Sequence, residues 1–146
     1  MKPTPKTFVS ILDTQATAGE TNTYSFDRLG HDYAVINLAI MGTETTDPPT
    51  VMHLTHSNDN TTFATFTGFT GGTDFTIPTA VRTLGNASQG PTVVQFRADL
   101  RAAKRYVKLT CNAATKMTQV INVDLFKSKE SAESATAANV SVVVAG

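Results

Sequence analysis

The clearest pattern in the chain is strict alternation of apolar and polar residues across 106–127. In the first half Val107, Leu109, Cys111 and Ala113 fall on one face, with Tyr106, Lys108, Thr110 and Asn112 on the other. In the second half Ile121, Val123 and Leu125 oppose Asn122 and Asp124. A period of two marks strands with one dry face and one wet face. The polar break at 114–117 predicts that the two strands fold back on each other as an antiparallel hairpin.

The same design predicts strands elsewhere. Residues 7–12 hold Phe8, Val9, Ile11 and Leu12, and 21–26 place Tyr24 and Phe26 on one side. Between them, 13–20 reads as a polar turn. Residues 33–41 are the most apolar stretch, with Ala34, Ile36, Leu38 and Ile40 on one face and a second face that is itself fairly apolar. A strand apolar on both faces is central or covered on both sides. Met52 and Leu54 point inward from 51–57, and the Ser-Asn-Asp-Asn-Thr-Thr run at 57–62 has the side chains of a tight Asx-type turn. Residues 63–69 form a strand whose in–out assignment is ambiguous. In 92–100 Val94, Phe96, Ala98 and Leu100 face in.

Turns and loops separate these runs. Pro48 and Pro49 make 42–50 a loop, since consecutive prolines cannot donate to a ladder. Residues 70–91 form a long connection, broken by Gly71-Gly72, with a short strand possible at 74–77 ended by Pro78. Residues 101–105 leave room for at most one turn of helix.

About eight or more short strands, with turn signals roughly every 8–12 residues, read as an all-β, single-domain antiparallel β-sandwich. The two long connections favour a jelly-roll-like order over a meander. We divide the chain into an N-terminal arm at 1–6, the sandwich at 7–128, and a linker with a C-terminal strand or arm at 129–146. The linker is small and polar, and the apolar run at 140–145 follows it. That run is either the last strand of the same domain or an arm that adds to a neighbouring copy.

Composition sharpens the picture. The 146 residues are 40% hydrophobic but only 16% charged, where about a quarter is usual. Threonine takes the polar positions. It is β-branched and suits a wet sheet face. Such a surface costs less to desolvate than a charged one, which suits subunit packing. Twelve Lys+Arg balance twelve Asp+Glu, which argues against nucleic acid as a partner. No apolar run approaches the roughly 20 residues that span a bilayer, and the N-terminal residues lack an apolar signal region, so neither a membrane nor secretion is expected.

Candidate chemistry is sparse. The single Cys111 lies on an inward face and reads as a buried small hydrophobe. His53 and His56 are three apart on a strand, hence on opposite faces, and do not ligate one metal without a bulge. Asp59 and Asp74 lack the spaced oxygen ligands of a calcium loop. No nucleophile elbow, phosphate loop or dinucleotide fingerprint occurs, and no pair of carboxylates suggests itself. No catalytic residue, cofactor or metal site is therefore expected. The one charge cluster is Arg97, Arg101, Lys104, Arg105 and Lys108, either a solvated turn or a basic patch that docks on an acidic surface.

Two stretches, His-Leu-Thr-His-Ser-Asn-Asp-Asn-Thr-Thr-Phe at 53–63 and Leu-Arg-Ala-Ala-Lys-Arg-Tyr-Val-Lys-Leu at 100–109, resemble small structural proteins of tailed bacteriophages. The likeness is to capsid decoration, or cement, proteins with β-sandwich folds, and extends over about residues 24–128. The resemblance implies a non-enzymatic virion protein, assembled in the host cytoplasm, that sits on the outer capsid surface as a homo-oligomer, usually a trimer. Its partners would be further copies of itself and the major capsid protein. The expected partner-binding residues are Arg97, Arg101, Lys104 and Arg105 in the basic turn, and Val140, Val142, Val143 and Val144 in the C-terminal segment. The alternative is a carbohydrate- or receptor-binding module of a phage tail or fibre. The lack of tryptophan and the internal placement of most phenylalanines weigh against it.

Overall fold

The structure, a computed structural model, describes residues 5–16, 20–42, 48–79, 91–114, 117–127 and 142–145. The start of the N-terminal arm, the linker, Val140, and most of the loops after residues 42 and 79 lie outside the described residues. The strands are β1 (Lys6–Ala16), β2 (Thr21–Asp27), β3 (Tyr33–Gly42), β4 (Val51–Ser57), β5 (Ala64–Thr70), β6 (Thr92–Asp99), β7 (Tyr106–Asn112), β8 (Met117–Phe126) and β9 (Val142–Ala145). No helix occurs among the described residues.

The strands form a five-stranded sheet, β1-β8-β3-β6-β9, and a four-stranded sheet, β2-β7-β4-β5. The order has a simple origin. β1 pairs with β8, β2 with β7, β3 with β6 and β4 with β5, all antiparallel. The first eight strands are thus one long hairpin with its tip between β4 and β5. Rolling that hairpin adds the β3·β8 and β4·β7 pairings. This is the jelly roll the long connections predicted.

The expected hairpin between residues 106–112 and 118–127 does not form. β7 and β8 lie in different sheets. Alternation reports which face is dry, and both strands bury theirs, but it carries no information about the lateral partner. β3 is central, between β8 and β6, as its two apolar faces required. Val35, on its outward face, is 1% exposed.

Three local expectations change. Residues 13–16, read as turn, continue β1 against β8, with register shifts on either side of Asp13. Backbone pairing, which side-chain polarity does not reveal, extends that edge strand. The ambiguity in β5 has a cause: Phe66 and Phe69, three apart, are both buried. Gly68 between them has φ 91°, and the β4·β5 register shifts there, so a bulge resets the pleat. Instead of a short strand at 74–77, the chain makes a tight turn after β5, where the Gly71 amide donates to the Met52 carbonyl (2.8 Å) and the Gly72 amide to the Phe75 carbonyl (2.8 Å). A Cβ on Gly71 would lie 2.7 Å from the Met52 oxygen, so this close approach requires glycine.

The inward faces of both sheets make one core, with Ile36, Leu38, Phe96, Ile121 and Leu125 from one and Met52, Leu54, Phe69 and Leu109 from the other. β9 pairs in parallel with β6, Val94 against Val142 through Arg97 against Ala145. The C-terminal segment is therefore a strand of its own chain's sheet here.

Candidate binding cleft

The charged turn is built on side-chain bonds that the sequence conceals. Arg28, at the end of β2, donates through Nε to the Lys104 carbonyl (3.1 Å), through Nη1 to the His31 carbonyl (3.2 Å), and through Nη2 to the Ala103 carbonyl. This arginine ties the 100–105 connection to the β2–β3 turn. Backbone bonds from Arg28 to Arg105 and from Leu100 to Asp32 complete the clamp.

The predicted basic patch divides on this frame. Arg97 projects from the five-stranded sheet and donates to Gln95 Oε1 (2.8 Å), while Lys108 projects from the four-stranded sheet over the Phe63 ring (3.8 Å). The two belong to opposite outer faces of the sandwich. Arg101 forms a forked pair with Asp99, and its guanidinium lies 5.3 Å from the Tyr33 ring centre. Arg105 pairs with Asp27 (2.7 Å) and lies over Tyr106 (5.0 Å). That guanidinium holds the Asp27 carboxyl below its ordinary value. Lys127 pairs with Asp32 (2.6 Å). Much of the positive charge is compensated where it stands. Lys104, half-buried, contributes its backbone amide to His56 Nδ1 (3.4 Å).

Of the C-terminal residues, Val144 is 5% exposed and joins the core, Val143 is 50% exposed, and Val142 enters β9 through its backbone. Val9 and Leu29 are the other exposed large apolar side chains among the described residues.

An aromatic chain runs through the core. His56 stacks on Phe66 (centroids 5.2 Å apart, planes 19° apart), Phe66 tilts on Phe69 (5.0 Å), Phe69 on Phe96 (6.3 Å), and Phe96 meets Phe75 edge-on (5.6 Å). It reaches the surface at a cleft of about 470 Å³ lined by His56, Phe66, Thr67, Asp99, Arg101 and Ala102. Among the described residues β9 pairs with β6 from Val94 to Arg97, and Asp99 lies beyond that pairing.

His56 and His53 diverge as their spacing predicted, His56 onto the core aromatic and His53 near Lys108. Burial, and then the Lys104 charge, lowers the His56 pKa; burial and Lys108 do the same for His53. No group of three His, Cys, Asp or Glu side chains placed to hold a metal occurs among the described residues. Asp59 Oδ1 accepts from the Ser57 hydroxyl (2.6 Å) and the Thr61 and Thr62 amides (2.9 and 2.8 Å), which hold its carboxyl far below the usual range. These bonds make the expected Asx turn, with Asn60 at φ 59°. Burial pushes the Cys111 thiol up to about 12, as expected of an inert core cysteine.

No protein-family model and no curated protein matches the chain. Among solved structures, the chain is similar to the SPBc2 prophage-derived protein YomS, with 14% identity and a TM-score of 0.47, over 84% of this chain and 96% of that one.

Proposed function

We propose that this chain is a non-enzymatic structural protein of a tailed-phage virion, a capsid decoration protein that binds the outer surface of the major capsid protein shell as a homo-oligomer, a trimer. The observation that supports the reading is the hydroxyl row on β2, an edge strand of the four-stranded sheet, where Thr21, Thr23 and Ser25 are exposed. A row of hydroxyls on a sandwich edge loses little hydration energy when covered and retains partners for hydrogen bonds across an interface. The ion pairs at the β6–β7 turn act in the same direction, because compensated charge imposes little repulsion between neighbouring copies. Each copy that bridges shell subunits adds buried area and stabilises the assembled state by mass action.

The test is reconstitution of shells that lack the chain. Added protein should sediment with the shells at fixed stoichiometry and raise their rupture temperature. Thr23→Arg with Ser25→Glu should reduce occupancy while leaving the thermal unfolding of the free protein in place. Failure to sediment with shells at micromolar protein would remove the reading.

A further inference from the structure

The cleft between β5 and β6 brings apolar and polar groups together, and their chemistry selects a ligand class. Its volume, about 470 Å³, falls within the range of pockets that take small ligands. Its base is apolar, Phe66 with the His56 ring stacked on it, and the exposed Ala102 adds a methyl at the edge. Its rim is polar in both senses. Asp99 provides carboxylate oxygens, Arg101 a guanidinium, and Thr67 an exposed hydroxyl. The Lys104 amide occupies His56 Nδ1, which fixes the ring proton on Nε2 and makes that nitrogen a donor.

The charges cancel. Arg101 and Asp99 neutralise each other through the forked pair. An anionic ligand would have to displace Asp99 from Arg101, and a cationic one would have to displace Arg101 from Asp99. A neutral ring with an apolar face and several hydroxyls displaces neither. Its C–H face packs on the aromatic base, while its hydroxyls donate to Asp99 and accept from Arg101, Thr67 and His56 Nε2.

We infer that the cleft lined by His56, Phe66, Thr67, Asp99 and Arg101 binds a neutral pyranose, as a free sugar or as the terminal residue of a glycan. The inference is independent of the capsid reading, since the cleft is built within one chain. The failure of either leaves the other standing.

The test is a backbone-amide NMR titration of the full chain with glucose, galactose, mannose and N-acetylglucosamine, with glucuronate and glucosamine as charged controls. At least one neutral sugar should give saturable shifts confined to β5, the end of β6 and residues 100–105, with a dissociation constant on the order of 1 mM. The charged sugars should bind more weakly. Thr67→Arg, a change at an exposed position of an edge strand, should fill the cleft and weaken binding at least about 10-fold, equivalent to roughly 1.4 kcal/mol, with the unfolding midpoint retained. Asp99→Asn should weaken it as well. If no neutral sugar saturates, if the shifts map elsewhere, or if Thr67→Arg binds as tightly as the parent, the inference is wrong.

Discussion

The two sheets share one core but treat their polar positions differently. The four-stranded sheet has a dry face and a wet face: Met52, Leu54, Phe69 and Leu109 point into the core, while Thr23 and Ser25 remain exposed on the other side. The five-stranded sheet departs from this at both faces. Gln119 lies on its inward face, 0% exposed, and both polar atoms of its amide lack a partner. On its outward face Val35 and Gln95 are buried as well. Gln95 is the satisfied one of the two glutamines: its Nε2 donates to Asn37 Oδ1 (3.0 Å) and its Oε1 accepts from Arg97. Both sheets thus cover some polar groups: in the four-stranded one Ser57 and Thr110 are buried on the outward face and the Asn22 amide nitrogen lacks a partner. The difference is one of degree, since the five-stranded sheet holds a whole amide, that of Gln119, unpartnered inside the core.

The largest effect that separates the sheets should come from the aromatic chain of the four-stranded one. Phe69 is fully buried between Phe66 and Phe96. Phe69→Ala removes the ring that links two others and leaves a cavity, so a loss of about 3–5 kcal/mol is expected. Chemical denaturation measures it, and a midpoint shift without a change of slope shows that the native fold is otherwise kept. A loss below about 1 kcal/mol would mean that the core collapses around the gap.

The defect in the five-stranded sheet should respond with the opposite sign. A buried amide with no partner costs about 1–3 kcal/mol. Methionine has nearly the shape of glutamine and nothing to satisfy. Gln119→Met should therefore stabilise the protein by about 1–2 kcal/mol, read as a higher urea midpoint. Destabilisation instead would show that the amide has a hydrogen-bonding partner in solution, such as an internal water.

The same contrast explains what could be read from the chain alone. β8 and β2 show their dry faces because alternation and burial coincide there. The jelly-roll order was suggested by loop lengths, yet lateral partners were hidden, since β7 and β8 carry the same pattern in opposite sheets. β5 was unreadable because the Gly68 bulge breaks its period. The cation cluster was visible as composition. The counter-ion of Arg105 was not, because Asp27 is 78 residues away in the chain. The cleft was illegible for a related reason: His56, Phe66 and Asp99 come from β4, β5 and β6 and meet only after the sheets have stacked. Arg28 gave no local signal, since all three of its acceptors are backbone carbonyls made available by folding.

The smallest expected effect is a difference in acid response between the sheets. His53 and His56 both lie on β4, in the four-stranded sheet, and the remaining histidine, His31, lies between β2 and β3. Burial lowers both β4 values below the ordinary 6.5, with the Lys108 charge adding to it at His53 and the Lys104 charge at His56. In the unfolded chain these rings take up protons near 6.5, whereas in the fold they resist until the pH is lower. The unfolded state thus binds more protons in that window, and stability must fall as pH drops from the ordinary histidine value through the folded ones. Above 6.5 the two groups contribute no pH dependence. Asp27 and Asp59, also lowered, act in a separate window, below the ordinary carboxylate value of 3.8. Amide protection factors, each taken against the intrinsic exchange rate at its pH, should therefore fall first in β4 and its neighbours β5 and β7 between neutral pH and about pH 5, ahead of β3 and β8. In His53→Gln with His56→Gln the lead should vanish. An equal fall in protection in both sheets of the parent would break the assignment of the acid-sensitive groups to the four-stranded side.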